Sequence, residues 1–318
     1  MPVTSTVQTA TALARLLSDI VKSLPNRPVD LTLDGSKVLL KCGSARFTLL
    51  TMPVDEYPSL PALPAASGVI PAEALTRAVA QVAVAASHDE TLPILTAVRV
   101  ELDADTVTML ATDRYRLAMV TVPWTMDGGP RTLDVVPAML VRSRTLSDVA
   151  KTLTAGMDVT VGLGDAHAGF AAGPRETTSL LVDGEYPRVR ALFPAEFTST
   201  AVVDVQDLIG AVRRVALVAE RNTPVRLTFT ADAVELEAGQ GEDAQASEAL
   251  DAAYSGRDAF LVSFNPRFLL DGLGAVTAPY VRFSFTAEGK PVVITGQADV
   301  GGDDDTAYRY LLMPVRLP

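Results

Sequence analysis

The sequence predicts an α+β fold made of repeated units, each with two helices packed on two small, mainly antiparallel sheets. An apolar helical pattern from Leu75 to Ala86 recurs 133 residues later, from Leu208 to Ala219. Residues 98–111 and 225–238 then alternate apolar and polar side chains, which predicts a strand, a short turn and a second strand in each copy. The chain is 48% apolar but only 6% aromatic, a composition that suits helices packed on sheets.

The repeats divide the 318 residues into two whole units and half of another. A further copy of the strand pair, residues 28–43, follows a helical segment at 10–24. A Glu-Tyr-Pro signature at 56–58 and again at 185–187 precedes proline-containing stretches, which we interpret as linkers. Each whole unit shows the helix-then-sheet pattern twice. We therefore predict three domains, of which the first is only the second half of a unit: 1–66, 67–196 and 197–318.

The helices carry basic residues although the formal net charge of the chain is −11. Asp204 suits the start of one helix through capping, and Gly272 and Gly274 mark the end of another. If the repeats place their helices on one surface, Lys and Arg side chains there can contact DNA phosphates without reading sequence. The alternative is that these side chains are simply solvated. The four best-defined helices are predicted at 72–87, 143–154, 204–221 and 265–275, and the basic residues on these helices and the N-terminal one are Arg15, Lys22, Arg77, Arg144, Lys151, Arg213, Arg214 and Arg267.

Motifs for catalysis or metal binding are weak. The single cysteine, Cys42, excludes internal disulfides and a cysteine-built zinc site. His88 and His167 fall in predicted loops and would have to converge from distant segments to form a catalytic or metal site. The Gly162–Gly164 pair lacks a third glycine and a following helix, so we interpret it as a hairpin turn. We predict no catalytic activity, no metal and no cofactor.

Neither a membrane span nor a secretory signal is apparent. The chain has no apolar run of about 18 residues, and its start lacks a basic region followed by an apolar one. We expect a cytoplasmic protein without membrane association.

Two segments favour a binding role. Residues 111–118 follow directly on a strand, and residues 308–317 stay apolar almost to the chain's end. Exposing large apolar side chains costs about 1.5–3 kcal/mol each, so such a terminus is expected to dock. One interpretation of both segments is ordinary burial of strands in a sheet. The sharper interpretation is an apolar cleft that accepts a peptide, with methionine as an adaptable wall.

Five motifs carry a resemblance to a known family. They are TLPILT (91–96), ATDRYRLA (111–118), VALVAERNTPVRL (215–227), FNPRFLLDGL (264–273) and YLLMPVRL (310–317). In this order they resemble the bacterial DNA polymerase III beta subunit, the sliding clamp, over essentially the whole chain. The resemblance implies a head-to-tail homodimeric ring of repeated domains around double-stranded DNA, with helices lining the channel and no catalysis of its own. It further implies that short peptides of the replicative DNA polymerase, the clamp loader and repair polymerases bind a cleft between the second and third domains.

The resemblance also assigns residues to these roles. The basic helical residues named above map to the channel. For the dimer interface it implies Phe47 and Leu49 in the first domain and Leu217 in the third. For the peptide cleft it implies Leu95, Thr112, Arg114, Tyr115, Arg116, Leu117, Pro187, Leu192, Asn265, Phe268, Leu311, Leu312, Met313, Pro314, Val315 and Arg316.

The chain departs from the family pattern in three places. Ala191 stands where some relatives have a basic residue, and Arg142 stands where relatives often have proline. The first domain lacks its first half. A second hypothesis is therefore a non-ring paralogue that acts as a decoy for clamp-directed peptides or inhibitors, and an enzyme dependent on His88 or His167 is a third.

Overall fold

Contacts along the chain divide it into two units, Met1–Ala62 and Leu63–Pro318. No helix in the part of the chain that the structure describes is both long and apolar enough to cross a membrane. The computed structural model describes residues 11–12, 14–53, 61–129, 137–219, 223–239 and 244–315.

The first unit is one helix on an antiparallel sheet. Leu40 and Leu49 alternate inward from neighbouring strands and pack with Ile20 of the helix, so the three side chains form a small buried core. The strands lie in the order β1-β4-β3-β2. The elements are β1 (Thr11–Ala12), α1 (Ala14–Ser23), β2 (Asp30–Asp34), β3 (Lys37–Cys42) and β4 (Ala45–Met52).

The second unit contains four helix–sheet halves. Each half is a leading strand, a helix and a meander of three strands. The first half is β5 (Ala66–Pro71), α2 (Ala72–Ala83), β6 (Ala97–Leu102), β7 (Thr106–Thr112) and β8 (Arg116–Pro123), followed by the short β9 (Thr125–Met126). The second half is β10 (Ala138–Arg142), α3 (Ser143–Thr152), β11 (Asp158–Leu163), β12 (His167–Ala172) and β13 (Arg175–Leu180).

The third and fourth halves repeat this plan. The third half is β14 (Ser199–Asp204), α4 (Val205–Val215), β15 (Val225–Phe229), β16 (Ala233–Ala238) and β17 (Ala246–Asp251), followed by β18 (Ala253–Tyr254). The fourth half is β19 (Phe260–Phe264), α5 (Pro266–Gly274), β20 (Tyr280–Phe285), β21 (Val292–Gln297) and β22 (Asp304–Leu312).

The halves exchange their leading strands. β5 pairs with β11 and β10 pairs with β6, while β14 pairs with β20 and β19 pairs with β15. Every leading strand therefore lies beside the first meander strand of the neighbouring half. The register places apolar side chains together, as with Ile70 opposite Val159 and Val141 opposite Val98. Each half therefore obtains one strand of its sheet from another half.

One sheet extends across the whole second unit. β22 pairs with β8, with Leu311 opposite Leu117, and this pairing joins two smaller sheets into one of nine strands. The expectation that each unit has its own two small sheets is therefore wrong at this junction. The physical reason is that both meanders end on a strand with an open edge, and pairing the two edges satisfies their backbone groups.

The helices of the second unit form a row on one face of the sheets. α3 contacts α2, and α5 contacts α4. Between these pairs, the Gln81 side chain of α2 donates a hydrogen bond of 2.9 Å to the carbonyl of Ala275, directly after α5. The order of the row is α3-α2-α5-α4. On the opposite face of the nine-stranded sheet, Tyr186 and Val189 pack over Leu117 and Leu311.

The helices predicted from the sequence are present, but each is shorter than predicted. The helix expected at 72–87 ends at Ala83, and that expected at 204–221 gives way after Val215 to a 3-10 helix, Ala216–Val218. The predicted capping by Asp204 is confirmed, because its carboxylate accepts hydrogen bonds from the backbone N–H groups of Gln206 and Asp207.

The hairpin predicted at the glycine pair is confirmed, since Gly164 N donates to His167 O at 2.9 Å between β11 and β12. The loop predicted at His167 is wrong, because this residue begins β12. His88 lies in a loop, as expected.

Gly272 provides a test of packing on α5. A Cβ there would lie 2.5 Å from Tyr310 Cδ1, whereas a Cβ at Gly274 would meet nothing within 4 Å. We expect Gly272→Ala to lower the free energy of unfolding by about 1–3 kcal/mol through overpacking. Gly274→Ala, the matched control, should raise it by up to about 1 kcal/mol, since Ala favours helix. Urea denaturation measures both, and equal effects of the two substitutions would contradict the packing argument.

Candidate functional site

A tight turn between β7 and β8 forms the centre of the site. Thr112 Oγ1 donates to Arg116 O at 2.7 Å, and the Asp113 carboxylate accepts from the backbone N–H of Tyr115 at 3.0 Å. Arg114 has a φ of 80°, a conformation that costs a non-glycine residue energy. The turn is thereby closed on itself, and the side chains of Arg114 and Tyr115 are left exposed.

The guanidinium of Arg116 ties this turn to α5. It is only 3% exposed and contacts Asp113 Oδ2 at 2.9 Å and Asp271 Oδ2 at 2.5 Å. Its Cζ lies 4.3 Å from the ring centroid of Phe268. Burial by itself lowers the pKa of Arg116, but Tyr310, Asp271 and Asp113 together outweigh this effect and raise it. The cation is therefore fixed in place as a link between two halves of the second unit.

The segment after β22 forms a second side of the site, next to the turn. Met313 N donates to Tyr115 O at 3.0 Å, and Val315 N donates to Ser263 O at 2.8 Å. The rings of Tyr115 and Phe268 stack with their centroids 6.1 Å apart. The side chains of Met313 and Val315 remain exposed beside this aromatic pair. An open apolar surface results, with its backbone groups already paired.

The linker between β13 and β14 borders a separate groove. The groove has a volume of about 560 Å³ and lies between residues 185–191 and the strands β6 and β7. Glu101 accepts from Arg99 Nε at 2.8 Å and also pairs with Arg190. Tyr186 is buried under the linker, and this burial raises the pKa of its hydroxyl. The linker is thus held to the sheet by both an ion-pair cluster and a buried ring.

The structure leaves nine of the residues assigned to the peptide cleft exposed or half-exposed. Asn265 among them already serves as the N-cap of α5, because its side-chain oxygen accepts from Arg267 N and Phe268 N. Arg316 lies outside the described residues. The nine are Arg114, Tyr115, Pro187, Leu192, Asn265, Phe268, Met313, Pro314 and Val315.

Six other residues assigned to the cleft are buried in the single chain, and their contact with a peptide stays a prediction. Four of them are buried where β8 pairs with β22, namely Arg116, Leu117, Leu311 and Leu312. The exposed set is the part of the assigned cleft that another molecule can reach directly. The six are Leu95, Thr112, Arg116, Leu117, Leu311 and Leu312.

The sequence reasoning missed several residues that hold this site together. Asp271 and Tyr310 contact Arg116, although both lie inside motifs that had been recognised. Tyr186 belongs to the Glu-Tyr-Pro signature, which by itself indicates only a nearby linker. The motifs at 111–118 and 264–273 each contain arginine and aspartate among apolar residues. This recurrence is the signal that could have indicated the ion pair.

The basic helical residues fall into two groups. Lys22 pairs with Asp19, Lys151 with Asp148, and Arg214 with Glu248. The hydrogen bond from Arg214 lowers the pKa of Glu248. The side chain of Arg15 lies outside the described part of the chain. The others are exposed and have no ion pair among the described residues: Arg77, Arg144, Arg213 and Arg267.

The three residues assigned to a subunit interface differ in exposure. Leu217 is 83% exposed, and Phe47 is half-buried against α1. Leu49 is only 5% exposed, so its side chain is buried within the single chain, and its assignment to an interface stays a prediction. It lies opposite Val38 on the sheet face that α1 covers, which directs it into the core.

Among the described residues, no group of three or more His, Cys, Asp or Glu side chains could hold a metal ion. The site consists instead of a closed turn, a buried cation and an apolar wall. Exposed apolar side chains on a rigid base are typical of interaction sites.

Three family models match the chain in order. They describe the N-terminal, central and C-terminal domains of the DNA polymerase III beta subunit and match residues 3–61, 69–188 and 190–316. The chain belongs to this family, the bacterial beta sliding clamps. Its members are processivity factors in DNA replication and not enzymes.

Individual relatives agree with this assignment. The chain is 48% identical to the beta sliding clamp of Streptomyces coelicolor, over 95% of this chain and 81% of that protein. It is 42% identical to the beta sliding clamp homolog GriR of Streptomyces muensis, over 95% of this chain and 80% of the relative. A crystal structure of the Pseudomonas aeruginosa sliding clamp bound to griselimycin superposes with a TM-score of 0.85 at 27% identity, covering 97% of this chain and 81% of that one.

The buried guanidinium predicts a large stability effect. Arg116→Leu leaves Asp113 and Asp271 without their cation, and we expect a loss of about 3–5 kcal/mol in the free energy of unfolding. Arg114→Ala, which removes an exposed arginine two residues away, should change it by less than about 0.5 kcal/mol. Guanidinium chloride unfolding compares the two variants. A small effect at Arg116 would show that the ion pairs contribute little.

Proposed function

We propose that this chain forms a homodimeric ring that encircles double-stranded DNA without sequence preference and tethers proteins of replication and repair. Those partners are the replicative polymerase, the clamp loader and repair polymerases, each bound through a short peptide. We further propose that the chain is organised as the domains 1–66, 67–196 and 197–318. One observation carries the proposal: each of the four helices in the row α3-α2-α5-α4 bears one exposed arginine that has no ion pair within the described residues.

A row of cations on adjacent helices suits the DNA backbone. Guanidinium groups bind phosphate oxygens, and contacts to phosphates alone carry no sequence information. The binding they produce weakens steeply as salt rises, because bound counterions are released. The net charge of −11 is compatible with this role, since the local field of a surface and not the total charge decides what it attracts.

The apolar surface around Tyr115 suits short peptides. Tyr115, Leu192, Met313 and Val315 are all exposed, and such a group in a folded protein is typical of an interaction site. Methionine adapts its shape to different partners, which favours a surface that serves several proteins in turn. Arg116 supports this surface from below, as a positioning residue.

Leu217 and Phe47 support the proposed head-to-tail dimer. The 83% exposure of Leu217 is unusual for a large apolar residue and leaves about 1.5–3 kcal/mol of burial energy to be gained in an interface. Phe47 would provide the opposing apolar contact, while Leu49 supports its strand from within the core.

Retention on closed DNA tests the ring. The chain, loaded onto nicked circular plasmid by a clamp loader, should elute with the DNA in high salt and be lost after the plasmid is linearised. A linked ring is held by topology, and salt removes only the phosphate contacts. Gel filtration with labelled protein gives the readout. Equal loss from circular and linear plasmid would contradict encirclement.

Measuring peptide binding on the same protein distinguishes the ring from the decoy function, which is our second hypothesis. A clamp-binding peptide should bind with an affinity that Tyr115→Ala lowers about tenfold, through loss of the stacked ring. Tyr280→Ala, a substitution in β20 away from this turn, is the matched control. Peptide binding together with no retention on DNA would favour the decoy.

The ion pair of Arg214 predicts a gain of function. Glu248 holds this guanidinium through contacts at 2.5 and 2.9 Å, so it competes with DNA phosphate. Glu248→Gln should strengthen binding to a short duplex and steepen the slope of log K against log salt by up to about 0.9, the value for one added phosphate contact. Fluorescence anisotropy over a salt series measures both quantities.

Glu237→Gln provides the control for that experiment. It removes the same charge from the partner of Arg226, which lies on a strand and not on the helix row. If the two substitutions change DNA binding equally, then general charge and not release of Arg214 explains the gain.

A further inference from the structure

One row of side chains crosses the nine-stranded sheet on the face opposite to the helices. Arg309 of β22 belongs to this row, because the next residue, Tyr310, packs against Gly272 of α5 on the helix side. The register aligns one residue from each of the neighbouring strands between β6 and β20, and arginine recurs among them. The row consists of Arg99, Leu110, Met119, Arg309, Thr295 and Arg282.

The arginines of this row differ in their partners. Arg99 Nε donates to Glu101 Oε1 at 2.8 Å, so its charge is neutralised. Arg282 and Arg309 form no ion pair with any residue that the structure describes, and the Nε atom of each is buried without an acceptor among those residues. Buried donors in folded proteins are almost always hydrogen-bonded, so two exceptions in one row call for an explanation.

The surroundings of Arg309 hold its charge in place without balancing it. Its Cζ lies 4.9 Å from the ring centroid of Phe193. Burial and the neighbouring Arg190 lower the pKa of Arg309, and Asp304 opposes them only in part. Asp304 Oδ2 instead accepts from the hydroxyl of Thr295 at 3.5 Å. Among the described residues, Arg309 therefore has a second cation nearby and no counter-charge at ion-pair distance.

The spacing of the two unpaired arginines suits a single anion. Neighbouring strands lie about 4.7–4.9 Å apart, so the Cα atoms of Arg282 and Arg309, which are two strands apart, are separated by roughly 10 Å. Two arginine side chains on the same face can converge across this distance. Thr295 lies between them and is only 2% exposed, so it forms the floor of the space. Both arginines are half-exposed, which leaves the space open to solvent.

We propose that Arg282 and Arg309 form a binding site for a phosphate group, either the free ion or a small phosphate ester. Guanidinium groups bind oxyanions through paired hydrogen bonds, and the oxygens of a tetrahedral phosphate can serve two guanidinium groups at once. A carboxylate has only two oxygens and is matched by one guanidinium. The bound phosphate group supplies the counter-charge that the described residues do not.

This site goes beyond the proposed function and lies on a different surface. The row α3-α2-α5-α4 packs on the other face of the sheet, and the exposed apolar group around Tyr115 lies at the turn between β7 and β8. Loss of phosphate binding would therefore leave the contacts proposed for DNA and for peptides intact.

Nuclear magnetic resonance of the full chain with isotope-labelled arginine tests the site. The buried Nε–H groups of Arg282 and Arg309 are shielded from exchange with water, so each should give a signal that can be followed. Inorganic phosphate, added at constant ionic strength and neutral pH, should shift both signals together and to saturation. The signal of Arg99, held by Glu101, should not move and verifies that the sheet remains folded.

Substitution of either unpaired arginine should weaken phosphate binding. We expect Arg282→Gln to weaken it about tenfold or more, measured on the remaining signal of Arg309, because one of two charged contacts is lost. Arg175→Gln is the matched control, since it removes the same charge from an exposed residue of β13 in another sheet. It should leave the affinity within about twofold, because solvent and salt screen a distant charge.

Asp304 provides a test in the opposite direction. Its negative charge acts on Arg309 and would repel the ligand, so Asp304→Asn should strengthen phosphate binding roughly fivefold. Asp305→Asn removes the same charge from the next residue, whose side chain is exposed on the opposite face, and should have little effect. Equal gains from the two substitutions would show that general charge controls binding and would overturn the proposal.

Comparing inorganic phosphate with adenosine monophosphate distinguishes the two sources of the phosphate group. Tighter binding of adenosine monophosphate supports a small ester as the ligand, and equal or weaker binding supports the free ion. The proposal is overturned if neither ligand shifts Arg282 and Arg309 at tens of millimolar, or if chloride shifts them as strongly at the same ionic strength. No DNA or peptide enters this experiment, so its failure would not count against the proposed function.

Discussion

Each helix–sheet half of this protein depends on another half for one strand of its sheet. A meander of three strands with one helix cannot satisfy the backbone groups of its first strand or cover that strand's apolar face. In the second unit, exchange of leading strands meets both needs at once, so β6, β11, β15 and β20 are each flanked by two strands and their inner side chains are buried. The helices then lie beside one another because the strands that precede them have been exchanged.

The docking surface follows from the same constraint. Once the inner strands are occupied, the last meander strands β8 and β22 still have open edges. Their pairing brings the turn at residues 112–116 next to the segment after β22. Arg116 completes this junction through ion pairs with the carboxylates of Asp113 and Asp271. A buried charge of this kind is not in itself strong evidence of stability, but it fixes the relative position of the turn and α5. The exposed Tyr115 and Met313 are held on that fixed base.

Much of the architecture could be predicted from the sequence, because the apolar pattern of each helix and strand is local and recurs in several repeats. The helices, the strand pairs and the Gly164 turn follow from periodicity and from turn chemistry. The nine-stranded sheet could not be predicted, since pairing of β8 with β22 joins residues nearly 200 positions apart. The sequence of either strand alone contains no pattern that indicates this pairing. For the same reason the motifs identified Arg116 and Leu311 as part of the site but not as buried.

The continuous ladder through the nine-stranded sheet has a mechanical consequence. Separating the predicted second and third domains would require several backbone hydrogen bonds between Arg116 and Val120 and their partners on β22 to break together, with water excluded from both sides. In the proposed ring, bending forces would therefore be relieved elsewhere than at this sheet. Residues Leu63–Pro318 would behave as a stiff arm, and the contacts between chains would serve as its hinges.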